Sequence, residues 1–187
     1  GDQSGTSVSL SSDGQTVAIG APNNDGAGFG ADLGHVRLYT WNGSSWVQLG
    51  SDIDGEATGD QSGISVSLSS DGLTVAIGAS RNNANGINSG HVRLYNWNGT
   101  AWVQLGIDID GELAGDRSGH SVSLSSDGQT VAIGAYDNDG NGSNSGHVRV
   151  YSLGSTLVNA SGCDSTATLN LTINNSTTST DVQTACD

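Results

Sequence analysis

The stretch GDQSGTSVSLSSDGQTVAIGA at residues 1–21 decides the fold, because the chain repeats it twice more. Residues 59–79 agree with it at 19 of 21 positions. Residues 115–135 differ from it only where Arg117 replaces Gln3 and His120 replaces Thr6. The copies start 58 and then 56 residues apart. This repetition indicates one supersecondary unit stacked on copies of itself.

Each unit predicts four short strands, at residues 6–11, 16–21, 35–41 and 46–50 of the first copy. Asp13-Gly14 lies between the first two strands, and Asn42-Gly43 lies between the last two. Both dipeptides are turn signals, because these residues tolerate positive φ. Each unit is therefore predicted to be an antiparallel meander.

Large and small side chains alternate in the first two strands, as in Ser7-Val8-Ser9-Leu10-Ser11, with few charges. This pattern is typical of a sheet that is covered on both faces. Together with the period, it predicts an all-β fold of tandem four-stranded antiparallel blades, similar to a β-propeller. Three blades alone leave two faces uncovered, and we expect both to present apolar rows such as Val8, Leu10, Val17 and Ile19.

A family resemblance covers roughly residues 1–150. Ser4-Gly5 followed by Gly20-Ala21-Pro22 resembles the FG-GAP repeat of integrin-α-like β-propellers, with Ser4 in place of the Phe. The resemblance implies a calcium loop rich in Asp between the first two strands. In this chain the first two strands are joined only by the short turn at residues 12–15, which contains a single Asp. We therefore do not expect this turn to bind calcium.

The repeats and a change of composition divide the chain into blades at 1–58, 59–114 and 115–154 and a Ser/Thr/Asn-rich β segment at 155–187. That segment resembles the Cys-containing tandem modules of Bacteroidota surface proteins. We expect Cys163 and Cys186 to be disulfide-bonded, to each other or to a neighbouring module; the alternative is two unpaired cysteines. Ser165 resembles an O-glycan acceptor of the same group, and Asn42 and Asn98 lie in N-glycosylation sequons.

Charge excludes several functions. The chain carries 5 Lys+Arg, all of them Arg, against 19 Asp+Glu, which gives a net charge of −14. No basic surface is available for nucleic acid, and no amine is available for Schiff-base chemistry. Apolar runs are too short for membrane insertion. An acidic chain without Lys and with two Cys is predicted to be extracellular, either secreted or at the cell surface.

Two acidic patterns are candidate Ca²⁺ sites, because hard oxygen ligands suit this ion. The first is the loop motif formed by Asp137, Asp139 and Asn141. The second is the pair of carboxylates in each connection between blades, Asp52 with Asp54 and Asp108 with Asp110. The alternatives are a polar turn and an ordinary acidic connection.

Residues that recur with the unit are predicted to be structural. His35, His91 and His147 should pack within the blades, and the Arg two positions after each should pair with carboxylates or carbonyls. Residues that break the repeat mark where individual function could lie: Phe29, Arg81, His120 and Tyr136. They form no recognisable catalytic set, so the sequence predicts that the chain is not an enzyme.

The sequence thus predicts an extracellular structural or adhesion module, a segment of a larger bacterial surface or secreted protein. It would associate with copies of itself or with further repeats, through exposed blade faces or the C-terminal strand, and form fibres. One alternative is a propeller that binds carbohydrate or protein with Ca²⁺. Another is an accessory domain of a secreted hydrolase.

Overall fold

The computed structural model describes residues 1–26 and 32–153. Every helical or strand element in those ranges is a β-strand, and the strands form three antiparallel sheets, blades 1 to 3. This confirms the predicted all-β fold of antiparallel blades. In the same ranges no helix is long and apolar enough to cross a membrane.

The blades contain equivalent strands. Blade 1 contains β1 (Ser7–Leu10), β2 (Thr16–Ala21), β3 (His35–Trp41), β4 (Trp46–Gln48) and β5 (Ile53–Asp54). Blade 2 contains β6 (Ser65–Leu68), β7 (Thr74–Ala79), β8 (His91–Trp97), β9 (Trp102–Gln104) and β10 (Ile109–Asp110). Blade 3 contains β11 (Ser121–Leu124), β12 (Thr130–Ala135) and β13 (His147–Ser152).

The fourth strand of a blade is split, which the sequence did not predict. In blade 1, β4 pairs with one end of β3 and β5 pairs with the other end, at His35 and Val36. The strand that was expected to run to residue 50 ends at Gln48, where the chain turns through Gly50 at φ 80°. Ile53 is buried and brings the chain back onto β3. The segment read as an acidic connection therefore begins as part of the sheet.

Alternation gives each blade two unlike faces. We call one the Val/Leu face; in blade 1 it consists of Val8, Leu10, Val17 and Ile19. We call the other the Ser/Ala face; in blade 1 it consists of Ser7, Ser9, Ala18 and Gly20, with Val36 and Leu38 from β3.

Blades stack with the Val/Leu face of one on the Ser/Ala face of the one before. Leu68 and Ile77 of blade 2 pack with Val36 and Leu38 of blade 1 in one buried cluster. An equivalent cluster joins blades 2 and 3. As a result, every residue of β7 in the middle blade is buried, whereas burial alternates along β12 in blade 3.

The two open faces differ, which corrects the expectation that both present rows such as Val8 and Leu10. Blade 1 leaves its Val/Leu face open, with Val8 64% and Leu10 60% exposed. Blade 3 leaves its Ser/Ala face open, with Ser121, Ser123 and Val148 exposed. The reason is that stacking in one direction always leaves opposite faces at the two ends.

Close backbone contact holds each junction together. A Cβ atom added at Gly20 would lie 2.1 Å from the carbonyl oxygen of Gly63, so only glycine fits there. The Oγ of Ser9 accepts a hydrogen bond from the Leu68 N–H at 2.9 Å. At the next junction, the Oγ of Ser67 accepts a hydrogen bond from the Leu124 N–H. The small residues of the repeat therefore allow one blade to lie directly on the next.

Candidate functional site

The long connections gather at one end of the blades. Ala21 is opposite His35 in the pairing of β2 with β3, and Ser7 is opposite Gly20 in the pairing of β1 with β2. The connection from β2 to β3 and the connection that enters β1 therefore lie at the same end. We call this the connection end, and the equivalent loops of blades 2 and 3 share it.

A buried carboxylate ties neighbouring loops together at each junction. Asp60 Oδ2 accepts hydrogen bonds from the Ala57 N–H at 3.0 Å and from Asn82 Nδ2 at 2.9 Å. Asp116 makes the equivalent bond to Asn138 at 2.8 Å. These carboxylates, which follow the predicted acidic pairs in sequence, thus join the connection that enters a blade to the loop between the second and third strands of that blade.

The recurrent histidines begin the third strand of each blade. His35 is 4% and His91 is 1% exposed, as expected for packing residues. Burial lowers the pKa of His35, His91 and His147, because a charged imidazole would lose its hydration. The histidines are therefore neutral near pH 7.

Each recurrent Arg pairs with a carboxylate or a carbonyl, as predicted. Arg37 donates to Asp52 from Nε at 2.9 Å and lies 2.8 Å away through Nη2, which lowers the pKa of Asp52. Arg93 Nη2 donates to the Asp54 carbonyl at 2.7 Å. Arg149 contacts Glu112.

One of the predicted acidic pairs stays together in a possible ligand group, and the other does not. Asp52 and Asp54 flank the buried Ile53 and lie near His35, with possible ligand atoms within 4.8 Å of one another. Asp108 instead joins His91 and Glu56, which comes from the connection after blade 1. Asp110 lies outside that group. The sequence analysis missed Glu56, which follows Asp54 by two residues and reaches the histidine of the next blade.

The three residues of the predicted loop motif, Asp137, Asp139 and Asn141, each contact a different residue. Asp137 lies 3.1 Å from Arg117 Nε, and Asp139 accepts the Asn144 N–H at 2.7 Å. The Asn141 N–H donates to the Ser145 hydroxyl at 3.3 Å. Asp139 therefore stabilises the loop itself, and Asp137 joins the loop to the connection that contains Arg117. Ca²⁺ binding there stays a prediction.

Residues that break the repeat form one cluster on blade 3. Arg117 Nη1 donates to the Tyr136 hydroxyl at 2.9 Å, and its guanidinium lies 5.8 Å from the centre of that ring. His120 packs edge-on against Tyr136 with ring centres 4.5 Å apart. With Asp137 they form what we call the blade-3 patch, in which Tyr136 is 44% exposed.

Other predicted residues lie apart from this patch. Arg81 is exposed at the equivalent connection of blade 2. Asn42 and Asn98 are exposed in their hairpins, where each Oδ1 accepts backbone N–H groups of the turn. Phe29, Cys163, Ser165 and Cys186 lie outside the described residues.

Comparison with known proteins finds a family model that matches two stretches of the chain. The model of the FG-GAP repeat matches residues 52–95 and 108–151. Over these two stretches the chain is similar to the FG-GAP repeat. Each match begins beside the last strand of one blade and ends in the third strand of the next. No curated protein sequence matches the chain.

Two solved structures share the fold. A candidate 6-phosphogluconolactonase from Bacteroides uniformis ATCC 8492 has a TM-score of 0.51 and 14% identity over 88% of this chain. The periplasmic gluconolactonase PpgL of Pseudomonas aeruginosa has a TM-score of 0.51 and 18% identity over 79% of this chain. The chain spans 39% of the length of each. At these identities the likeness shows the fold alone.

The prediction that the chain is not an enzyme is corrected by these structures, since both are described as lactonases. The sequence argument relied on the absence of a recognisable catalytic set among the residues that break the repeat. The blade-3 patch shows the flaw, because Arg117, His120 and Tyr136 occur once each and still converge. The repeats therefore give no ground for excluding catalysis.

Proposed function

We propose that this chain is a self-associating blade module, in which the Val/Leu face of blade 1 docks on the Ser/Ala face of blade 3 of another copy. The observation that carries the proposal is the exposure of Val8 and Leu10, whose equivalents Val66 and Leu68 are 8% and 7% exposed at the first internal junction. A soluble chain rarely leaves such a patch uncovered.

The two open faces match because they are copies of faces already in contact. The Val/Leu face is identical in all three blades, as SVSL followed by TVAIGA. The Ser/Ala face of blade 3 keeps Ser121, Ser123, Ala132 and Gly134, with Val150 where blades 1 and 2 have Leu. A junction between copies can therefore repeat the internal geometry almost residue for residue.

Polar groups also match across the proposed junction. Ser7 donates to the Gly63 carbonyl at 2.8 Å, and Ser65 donates to the Gly119 carbonyl at 2.8 Å. The equivalent pair between copies is Ser121 with Gly5, which has φ 92° against 85° at Gly63. Because this contact joins unlike faces, it extends head to tail into rings or fibres rather than closed dimers.

Sedimentation velocity tests the proposal. We expect the native chain to form species larger than its 18.8 kDa mass and the Val8→Asp variant to be monomeric. Ile107→Asp is the matched control, since it adds the same charge at a side chain that is 89% exposed and off the faces. A monomeric native chain, or a control that dissociates equally, would contradict the proposal.

We propose that this association serves a structural or adhesive role outside the cell. The support is the net charge of −14, the absence of Lys and the two cysteines. A titration of free thiols tests the location: Cys163 and Cys186 should be unreactive in natively purified protein, because a disulfide leaves no free thiol. Closing the loop between them would contribute about 3 kcal/mol. Two reactive thiols would count against an oxidising compartment.

Recognition of a carbohydrate is the second candidate function, and the blade-3 patch favours it. Tyr136 offers an exposed ring for stacking, and Arg117 and Asp137 offer charged hydrogen-bonding groups beside it. Glycan arrays with and without Ca²⁺ test this function. Binding that Tyr136→Ala abolishes and Ile107→Ala preserves would support it, and binding that survives Tyr136→Ala would exclude this patch.

A further inference from the structure

Three chelating side chains meet where blade 1 joins blade 2. Glu56 lies in the connection between the blades, His91 begins β8, and Asp108 precedes β10. His91 Nδ1 lies 3.9 Å from Glu56 Oε2 and 3.6 Å from Asp108 Oδ2. Both distances are too long for hydrogen bonds. The group is therefore assembled without bonds that would hold His91 to either carboxylate.

His91 is the second and independent sign of a ligand. Its side chain is 1% exposed, and its Nδ1 has no hydrogen-bond partner among the residues that the structure describes. Leaving such a buried polar atom unpaired costs about 1–3 kcal/mol. The atom points towards two carboxylates, so a cation between them would satisfy all three groups.

The charges at the site also favour binding of a cation. Burial raises the pKa of Glu56, and the nearby Asp108 carboxylate adds to the rise against the opposing effect of Arg93. The carboxylates thus repel each other in a partly dehydrated place. Burial also keeps His91 neutral, which leaves an imidazole lone pair available to a metal.

We propose that Glu56, His91 and Asp108 bind Zn²⁺ at this junction. One imidazole nitrogen with two carboxylate oxygens suits Zn²⁺, whereas Ca²⁺ takes oxygen ligands. Tetrahedral Zn²⁺ with ligands at 2.0–2.1 Å separates those ligands by about 3.4 Å. The present distances of 3.6 and 3.9 Å exceed this by only a few tenths of an ångström. Three protein ligands leave the fourth position to water.

Arg93 lies beside the site without occupying it. Its Nη1 is 3.5 Å from Glu56 Oε1, whereas Oε2 is the oxygen that faces His91. Its Nη2 is held by the Asp54 carbonyl at 2.7 Å. One carboxylate can therefore bind the metal and keep its contact with the guanidinium.

The other blades provide an internal comparison. At His35 the nearest carboxylate, Asp52, receives the guanidinium of Arg37, so it is already engaged. At the second junction Glu112 Oε2 lies 3.7 Å from His147 Nδ1, which repeats the pairing of a Glu with the His of the next blade. Among the described residues, His35, Asp52 and Asp54 also form a group of three. The group at the first junction differs because its imidazole Nδ1 is fully buried without a hydrogen-bond partner.

Zn²⁺ titration of the full chain by calorimetry tests the site. We expect Glu56→Gln and Asp108→Asn each to lose one equivalent of Zn²⁺ or to weaken that site at least tenfold. Asp52→Asn, an equivalent position in blade 1, should bind as the native chain does. Co²⁺ bound at the same site should give the absorption of a four-coordinate complex without thiolate bands.

Three outcomes would overturn the proposal. The native chain could bind no Zn²⁺, Glu56→Gln could retain the full stoichiometry, or Asp52→Asn could lose the site equally. Glu56 is 45% exposed, so we expect Glu56→Gln to fold. The test therefore does not depend on a substitution of the buried His91, which could prevent folding.

Discussion

Replacing Gly78 by Ala should separate two blades. The added Cβ would lie 1.9 Å from the Gly119 carbonyl oxygen, and ordinary contact needs about 3.4 Å, so the junction must open by about 1.5 Å. Overpacking of this kind costs about 1–3 kcal/mol. Loss of the hydrogen bond from Ser65 to that carbonyl adds about 1 kcal/mol. We expect a total of about 2–4 kcal/mol.

Gly134→Ala is the matched control, because Gly134 occupies the same position on the open face of blade 3. Its Cβ would come within 3 Å of only the Ser121 hydroxyl, which can rotate away. Ala in a strand is more stable than Gly by about 0.5–1 kcal/mol, so this variant should be neutral or slightly more stable. Urea unfolding measures the free energy of unfolding of both variants. Each is combined with Val8→Asp, so that association between copies does not contribute to the measured stability. Equal losses in the two variants would refute the close junction.

Two further predictions concern side chains that accept hydrogen bonds. Asp52→Asn should lower the free energy of unfolding by about 0.5–1 kcal/mol at pH 7. Because Arg37 lowers the pKa of Asp52, the difference in stability between the native chain and this variant should be lost as the pH falls below about 4. A difference that persists at pH 2 would contradict the ion pair of Asp52 with Arg37. Ser67→Ala should cost about 1–2 kcal/mol by leaving the Leu124 N–H unpaired at the junction, whereas Ser123→Ala on the open face should cost almost nothing by the same urea assay.

Local structure was predictable because turn signals and alternation act over a few neighbouring residues. The strand predicted at 6–11 was observed as Ser7–Leu10, and the one predicted at 35–41 was observed as His35–Trp41. The split fourth strand was missed because the return at Ile53 depends on the apolar space that blade 2 closes. No local pattern contains that information.

The direction of stacking was the main quantity that the sequence could not supply. Alternation shows that each blade has two unlike faces, but it does not say which face meets which. For the same reason the sequence analysis could not bring Glu56 and His91 together across 35 residues and a blade junction. Repeat-breaking residues were a better guide, since His120 and Tyr136 do meet.

Mixing two variants tests the central claim, that copies join head to tail through unlike faces. Val8→Asp blocks the Val/Leu face of blade 1, and Gly134→Ala blocks the Ser/Ala face of blade 3, where the added Cβ would meet Gly5 of the next copy. Each variant alone should be monomeric in sedimentation equilibrium, and an equimolar mixture should form dimers of twice 18.8 kDa and nothing larger. A mixture that stays monomeric would contradict the account, as would either variant assembling alone.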